Sequence, residues 1–171
     1  LLKEIPFPYL AADQALHLRR VHMLDSRNGW AVYSDEANAD HILKTGDGGL
    51  TWVDVSPPAS LTYSDRWNGP VPFGWLAYFF DTEHAWVALA SAYTATIHSI
   101  WHTADGGRHW GEAPLPRRDS GLDGIVFDFI NPSYGWAVIP GFLAGGSDTS
   151  ELLRTTDGGA TWETLPGEDV L

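Results

Sequence analysis

Apolar residues in this chain come in short runs, separated by clusters of Gly, Pro, Asp, Asn and Ser. Short runs bounded by turn residues predict β-strands. They fall into three groups of four. Arg20–Leu24, Gly29–Ser34, His41–Thr45 and Thr51–Val55 form the first. Ala77–Phe80, Ala85–Ala90, Ser99–Thr103 and His109–Glu112 form the second, and Ile125–Phe129, Gly135–Ile139, Leu152–Thr156 and Thr161–Leu165 the third.

The groups repeat one another. Thr45-Gly46-Asp47-Gly48-Gly49-Leu50-Thr51-Trp52 returns as Thr103-Ala104-Asp105-Gly106-Gly107-Arg108-His109-Trp110 and as Thr155-Thr156-Asp157-Gly158-Gly159-Ala160-Thr161-Trp162. A second motif keeps time with it: Gly29-Trp30-Ala31-Val32, Ala85-Trp86-Val87-Ala88 and Gly135-Trp136-Ala137-Val138. An apolar run ending in an acid or amide leads into each, at Asp25, Asp81 and Asn131. Four short strands per repeat is the pattern of a β-propeller blade. The chain is therefore predicted to be an all-β propeller segment of three four-stranded antiparallel blades, at 20–58, 77–116 and 125–167. An outer strand with lead-in occupies 1–19, an aromatic-rich link 59–76, and a second link 117–124.

The repeated turn has a physical logic. Its Asp (Asp47, Asp105, Asp157) accepts backbone N–H groups of its own bend. The glycines, among them Gly49, Gly107 and Gly159, supply positive φ without steric cost. The Thr two residues before the Asp closes the hairpin, and Thr51 and Thr161 follow it. Trp52, Trp110 and Trp162 fold over the turn into the gap between blades, each burial contributing on the order of 2–3 kcal/mol. This one mechanism accounts for every residue type in the turn, so these aspartates read as scaffold rather than catalysts. His109 replaces the Thr of the other copies, and its closing bond is expected to be weaker.

Composition adds detail. Nine Trp, six Tyr and seven Phe suit stacked sheets, and 18 Gly with 11 Pro suit many turns. A net charge of −12 opposes phosphate backbones and anionic membranes, so neither nucleic acid nor membrane insertion is expected. Without cysteine there is no disulfide, thiolate catalysis or Cys-held zinc. The seven His show no metal spacing; His98 and His102 flank a strand, where such positions lie about 13 Å apart. No cofactor or metal is expected. No signal peptide is visible, and the start at Leu1 is read as the loss of something upstream.

The turns fit the Ser/Thr-x-Asp-x-Gly-x-Thr-Trp pattern of Asp-box, or bacterial neuraminidase, repeats. Their pairing with an upstream Gly-Trp-Ala-Val strand resembles the photosystem II stability and assembly factor-like propellers of bacteria, over nearly the whole chain. The resemblance implies a non-enzymatic scaffold for a protein or glycan, without cofactor, in an extracellular or cell-envelope setting. The basic patch with which those factors hold photosystem subunits is not carried over to this acidic chain. Asp boxes also occur in sialidases and xyloglucanases, so a carbohydrate-active enzyme is the alternative. The Arg residues do not sit at matching places in successive blades, as a sialidase's carboxylate-binding triad would require. Asp35, Asp40, Asp65, Asp119 and Asp148 offer a xyloglucanase its acid pair, yet no motif selects two of them.

Three blades do not close a ring, which takes at least four. Either two chains join as a homodimer into a six-bladed ring, or the chain lacks blades of a longer one. Leu1–Pro8 looks like the outer strand that ends each blade, as in a chain cut from a larger propeller or a strand swapped onto a partner. A ligand is expected on the face opposite the aspartate turns. There the link holds Tyr63, Asp65, Arg66, Trp67 and Asn68, with Tyr93 and Phe142 on neighbouring loops: flat faces for stacking, polar groups at the rim. The competing reading folds Trp67 and Trp75 onto the blades as a plug.

Overall fold

The computed structural model describes residues 4–6, 17–34, 40–58, 76–90, 97–115, 121–122, 124–142 and 150–165. Among them there are only strands and turns. β1 (Glu4–Pro6), β2 (His17–Met23), β3 (Gly29–Ser34), β4 (Asp40–Thr45) and β5 (Thr51–Asp54) form the first sheet, in the order β1-β5-β4-β3-β2. β6 (Ala77–Phe79), β7 (Ala85–Ala90), β8 (Ile97–Thr103) and β9 (Gly111–Pro114) form the second in chain order. β10 (Gly121–Leu122) pairs with β13 (Gly141–Phe142), while β11 (Val126–Phe129), β12 (Gly135–Ile139), β14 (Glu151–Thr155) and β15 (Glu163–Thr164) form the third. All pairings are antiparallel. The fold is the predicted one: three blades of a β-propeller.

Several details differ from the sequence reading; β2 begins at His17 and β8 at Ile97, three and two residues earlier than expected. The N-terminal strand joins a blade of its own chain: β1 lies along the outer edge of the first sheet, with Ile5 opposite Trp52 and Pro6 opposite Thr51. Proline suits an edge, because it has no N–H to offer a further strand. β9 and β15 begin at Gly111 and Glu163, two residues later than expected, because His109 and Thr161 are held in the turns by their aspartates. β5 starts at Thr51 itself, where β1 pairs with it. The β10–β13 pair was not foreseen; it ties the second link to the loop within the third blade.

Alternation divides each blade into a forward and a backward face. Trp30, Val32, Ile42 and Val55 face forward from the first blade onto Ala77, Phe79, Ala85 and Val87 of the second. Leu76, Trp86, Ala88 and Ile100 face forward from the second onto Phe127, Phe129, Ala137 and Leu153 of the third. At the centre of each joint an indole lies on a phenyl ring. Trp30 stacks on Phe79 with centroids 5.2 Å apart, and Trp86 on Phe129 at 3.6 Å. Each indole also donates its Nε1–H across the joint, Trp30 to Asp81 O and Trp86 to Gly158 O, both at 2.8 Å. Trp110 bonds back, to Val55 O at 2.7 Å.

The glycine pair of the turn also serves the joint. Gly107 has φ 84°, and a Cβ there would lie 2.7 Å from Val55 Cβ of the preceding blade. Gly159 has φ 92°, and its Cβ would lie 2.5 Å from Trp86 Nε1. An L-residue at either place is strained in backbone and sterically blocked. Trp86→Ala is expected to lower unfolding stability by about 3–5 kcal/mol. Trp86→Phe, which keeps an aromatic face but loses the cross-joint bond, should cost less; urea unfolding of both variants measures the order.

Candidate functional site

Three copies of the aspartate turn stand on one face of the stack, and each is a closed hydrogen-bond ring. Asp47 Oδ1 accepts from Thr51 N and from the Thr45 hydroxyl, both at 2.9 Å, and Oδ2 accepts from the Thr51 hydroxyl at 2.7 Å. Thr45 Oγ1 accepts Gly49 N at 2.9 Å. The third turn repeats this, with Asp157 receiving Thr161 N at 2.9 Å, the Thr161 hydroxyl at 2.7 Å and the Thr155 hydroxyl at 2.9 Å. In the second, His109 N bonds Asp105 Oδ1 at 2.9 Å, and His109 Nδ1 meets Oδ2 at 2.6 Å. The expected weaker closure at His109 is thus not what the geometry shows. An imidazole Nδ1 reaches the carboxylate as closely as a threonine hydroxyl does.

The acid or amide ending each lead-in run forms a second, smaller turn. Asp25 Oδ1 accepts Arg27 N and Asn28 N at 2.7 and 2.8 Å. Asp81 Oδ1 accepts Glu83 N and His84 N at 2.8 and 2.7 Å, and Asn131 Oδ1 accepts Ser133 N and Tyr134 N at 2.9 and 3.0 Å. The two turns of a blade are tied together: Gly48 N donates to Arg27 O, Gly106 N to Glu83 O and Gly158 N to Ser133 O, at 2.7, 2.9 and 2.9 Å.

These bonds set the charge of the aspartates. The Thr51 N–H, then its hydroxyl, hold Asp47 down at about 2. The His109 N–H does most to hold Asp105 at about 2 as well. Burial works to raise Asp157, but the Thr161 hydroxyl and N–H outweigh it and leave it below the usual range. A carboxylate so saturated with donors is a poor proton acceptor, which suits a structural role and not general-base catalysis.

On the turn side, between the first and second blades, lies an open groove of about 220 Å³. Lys44, Asn28, Asp105 and Arg108 give it polar walls, and Val53 and Val55 apolar ones. The Lys44 ammonium sits 5.2 Å from the Trp30 ring centroid and 3.9 Å from Glu83. Burial lowers its pKa, against the pull of Glu83. The sequence carried a signal for this residue that its reading missed. A base stands before the first Thr of every turn: Lys44, His102 and Arg154. Burial likewise lowers the pKa of His102, whose Cβ would meet a Cβ at Gly159 at 3.5 Å. Arg154 instead bonds Glu163 of its own blade, Nε to Oε1 at 2.7 Å.

The first blade also gathers His41, Asp54 and Ser56. His41 Nδ1 meets Asp54 Oδ2 at 2.8 Å and the Ser56 hydroxyl donates to Asp54 Oδ1 at 2.5 Å. The carboxylate is in the middle, and Ser56 Oγ is occupied by Ile42 N at 2.9 Å. A nucleophilic triad needs the imidazole in the middle to take the serine proton. This set is a strut joining β4 to the residues after β5.

Of the ligand residues expected from the sequence, Tyr63, Asp65, Arg66, Trp67, Asn68 and Tyr93 lie outside the described residues. Phe142 is in β13, opposite Gly121. Trp67 and Trp75, the plug of the competing reading, also lie outside. Of the aspartates offered to a hydrolase, Asp40 alone is described, opening β4. His98 and His102 both fall within β8 rather than flanking it, because that strand begins at Ile97. No group of three or more His, Cys, Asp or Glu suited to a metal occurs among the described residues.

No family model matches the chain, and no curated protein matches it. A solved structure described as YCF48 bound to D1 peptide matches with TM-score 0.50 and 18% identity, over 99% of this chain and 44% of that one. This chain thus spans less than half the length of that protein. The likeness is one of fold, a β-propeller.

Because Asp47 and Asp105 titrate near 2 when folded and near 3.8 otherwise, the folded state binds fewer protons in that interval. Their contribution is complete above about pH 4 and lost as pH falls toward 2. Thermal melts from pH 6 to pH 2 should show the midpoint falling in that window. Asp47→Asn and Asp105→Asn should lower the midpoint at neutral pH and flatten the acid slope; a slope unchanged in both would contradict this origin.

Proposed function

We propose that this chain is a non-enzymatic binding segment of a β-propeller, and that its ligand is an extended segment of another protein. The observation that carries the reading is the likeness of fold to a propeller solved with a peptide bound. The aspartate turns take no part in chemistry on this reading: they are Asp-box scaffold, in the manner of the photosystem II assembly factor-like propellers. The ligand belongs on the face opposite those turns, where Tyr63, Arg66 and Trp67 would supply stacking and hydrogen bonding. A net charge of −12 favours a cationic or neutral segment over an acidic one. An extracellular or cell-envelope setting in a bacterium belongs to the same proposal and is supported by the sequence resemblance alone. A glycan is the second class of partner, and a carbohydrate-active enzyme remains the rival reading.

The test uses three unstructured peptides of matched length, with positive, zero and negative net charge, titrated by calorimetry. The positive peptide is expected to bind most tightly, and added salt to weaken it. Trp67→Ala is expected to lower that affinity about tenfold or more. Equal binding of all three peptides, or affinity untouched by Trp67→Ala, would count against the site. Release of nitrophenol from an aryl glycoside would favour the enzyme instead.

A further inference from the structure

The groove on the turn side of the first joint holds two cations without hydrogen-bond acceptors. Lys44 reaches across from β4 and lays its ammonium over the turn of the second blade, where a Cβ at Gly106 would collide with it. The Glu83 carboxylate is 3.9 Å from it, beyond hydrogen-bond distance. Arg108 stands exposed at the tip of that turn and has no hydrogen bond or ion pair among the described residues. Asp105, also in the wall, has both oxygens occupied by Thr103 and His109. Two cations that repel each other thus share one groove, in a chain of net charge −12. The second joint has no such pair. His102 faces Trp86 there as Lys44 faces Trp30, and Ala160 takes the place of Arg108 in the repeat. Burial holds His102 below its usual 6.5, so it is uncharged at neutral pH. The cation pair is therefore no part of the repeated scaffold.

We propose that this groove binds a small aliphatic carboxylate, with its oxygens between the Lys44 ammonium and the Arg108 guanidinium and its tail on Val53 and Val55. The site lies on the turn side, away from the face proposed for the peptide, and does not depend on that reading. Arg108 can offer a carboxylate two parallel N–H groups, and charge-assisted bonds of this kind are the strong ones. Burial, and after it the Arg108 charge, disfavours the Lys44 ammonium against the pull of Glu83, and an anion set between the two cations relieves that cost. Glu83 is the competitor, since it already draws on Lys44. The valines offer nothing to an inorganic anion but cover an aliphatic tail, and about 220 Å³ admits a short-chain acid such as butyrate.

The chain has two lysines, Lys3 and Lys44, so lysine labelled with carbon-13 at Cε gives two signals, and Lys3→Arg assigns them. Titration with butyrate at constant ionic strength is expected to move the Lys44 signal saturably, half-maximally on the order of 1 mM, and to raise the Lys44 pKa. Butyramide, of the same shape but uncharged, should leave the signal in place. Arg108→Gln changes an exposed side chain with no hydrogen bond of its own, so the fold should be kept and butyrate affinity should fall about tenfold. Glu83→Gln removes the competitor and should tighten binding about twofold or more. A shift that never saturates, an equal response to butyramide, or affinity untouched by Arg108→Gln would overturn the proposal. Inorganic phosphate binding as tightly as butyrate would overturn the role of the valines. A blocked peptide with one internal Glu, binding more tightly than butyrate, would place the carboxylate on a protein and overturn the small ligand.

Discussion

Each blade is held to the next by one buried indole that does two jobs. Its ring lies flat on a phenylalanine of the following blade, and its N–H satisfies a backbone carbonyl of that blade. A blade of four short strands cannot bury its own faces. Apolar residues on both must be covered, and at the two joints the neighbouring blade covers them. The indole fixes the spacing and rotation of the sheets, because stacking and hydrogen bonding are satisfied together in one arrangement. The turns then serve the joints: the Asp47, Asp105 and Asp157 rings hold the bend rigid, and Gly107 and Gly159 clear room for Val55 and Trp86.

This division of labour bears on function. The residues that repeat are taken up by turn closure and by the joints. The aspartates are saturated with donors, and the His41, Asp54 and Ser56 set has its hydrogen bonds in an order that leaves the serine without an imidazole partner. What differs from blade to blade is the material between repeats, and binding in repeat folds resides in such inserts. The proposed peptide site follows from that separation of rigid frame and variable loops.

The strands and turns were legible because each rests on a local signal. Thr45, Asp47 and Gly49 specify a bend within five residues, and Trp30 with Val32 specifies an alternating strand. Long-range consequences were harder to read. Nothing local tells that Trp30 and Trp86 reach forward while Trp110 reaches back, since all are Trp in a strand or at its start. The smaller turns at Asp25, Asp81 and Asn131 are a visible motif, but their N–H acceptor role depends on the path of the backbone after them. The column of Lys44, His102 and Arg154 was visible as a periodicity and went unread, because a base beside Thr has no meaning until the next blade is set against it. Pairs as short as β10–β13 carry too little pattern to be predicted. The candidate ligand residues of the 59–76 link have residue type alone as their signal and lie outside the described residues.

The indole–phenyl contact couples one blade to the next. A double-mutant cycle on Trp86 and Phe129, using Trp86→Leu, Phe129→Leu and the pair in urea unfolding, tests it most directly. The double variant is expected to be less destabilised than the two singles summed, with a coupling of about 0.5–1.5 kcal/mol. Additive losses, with no coupling beyond error, would show that the two rings contribute separately and would contradict it.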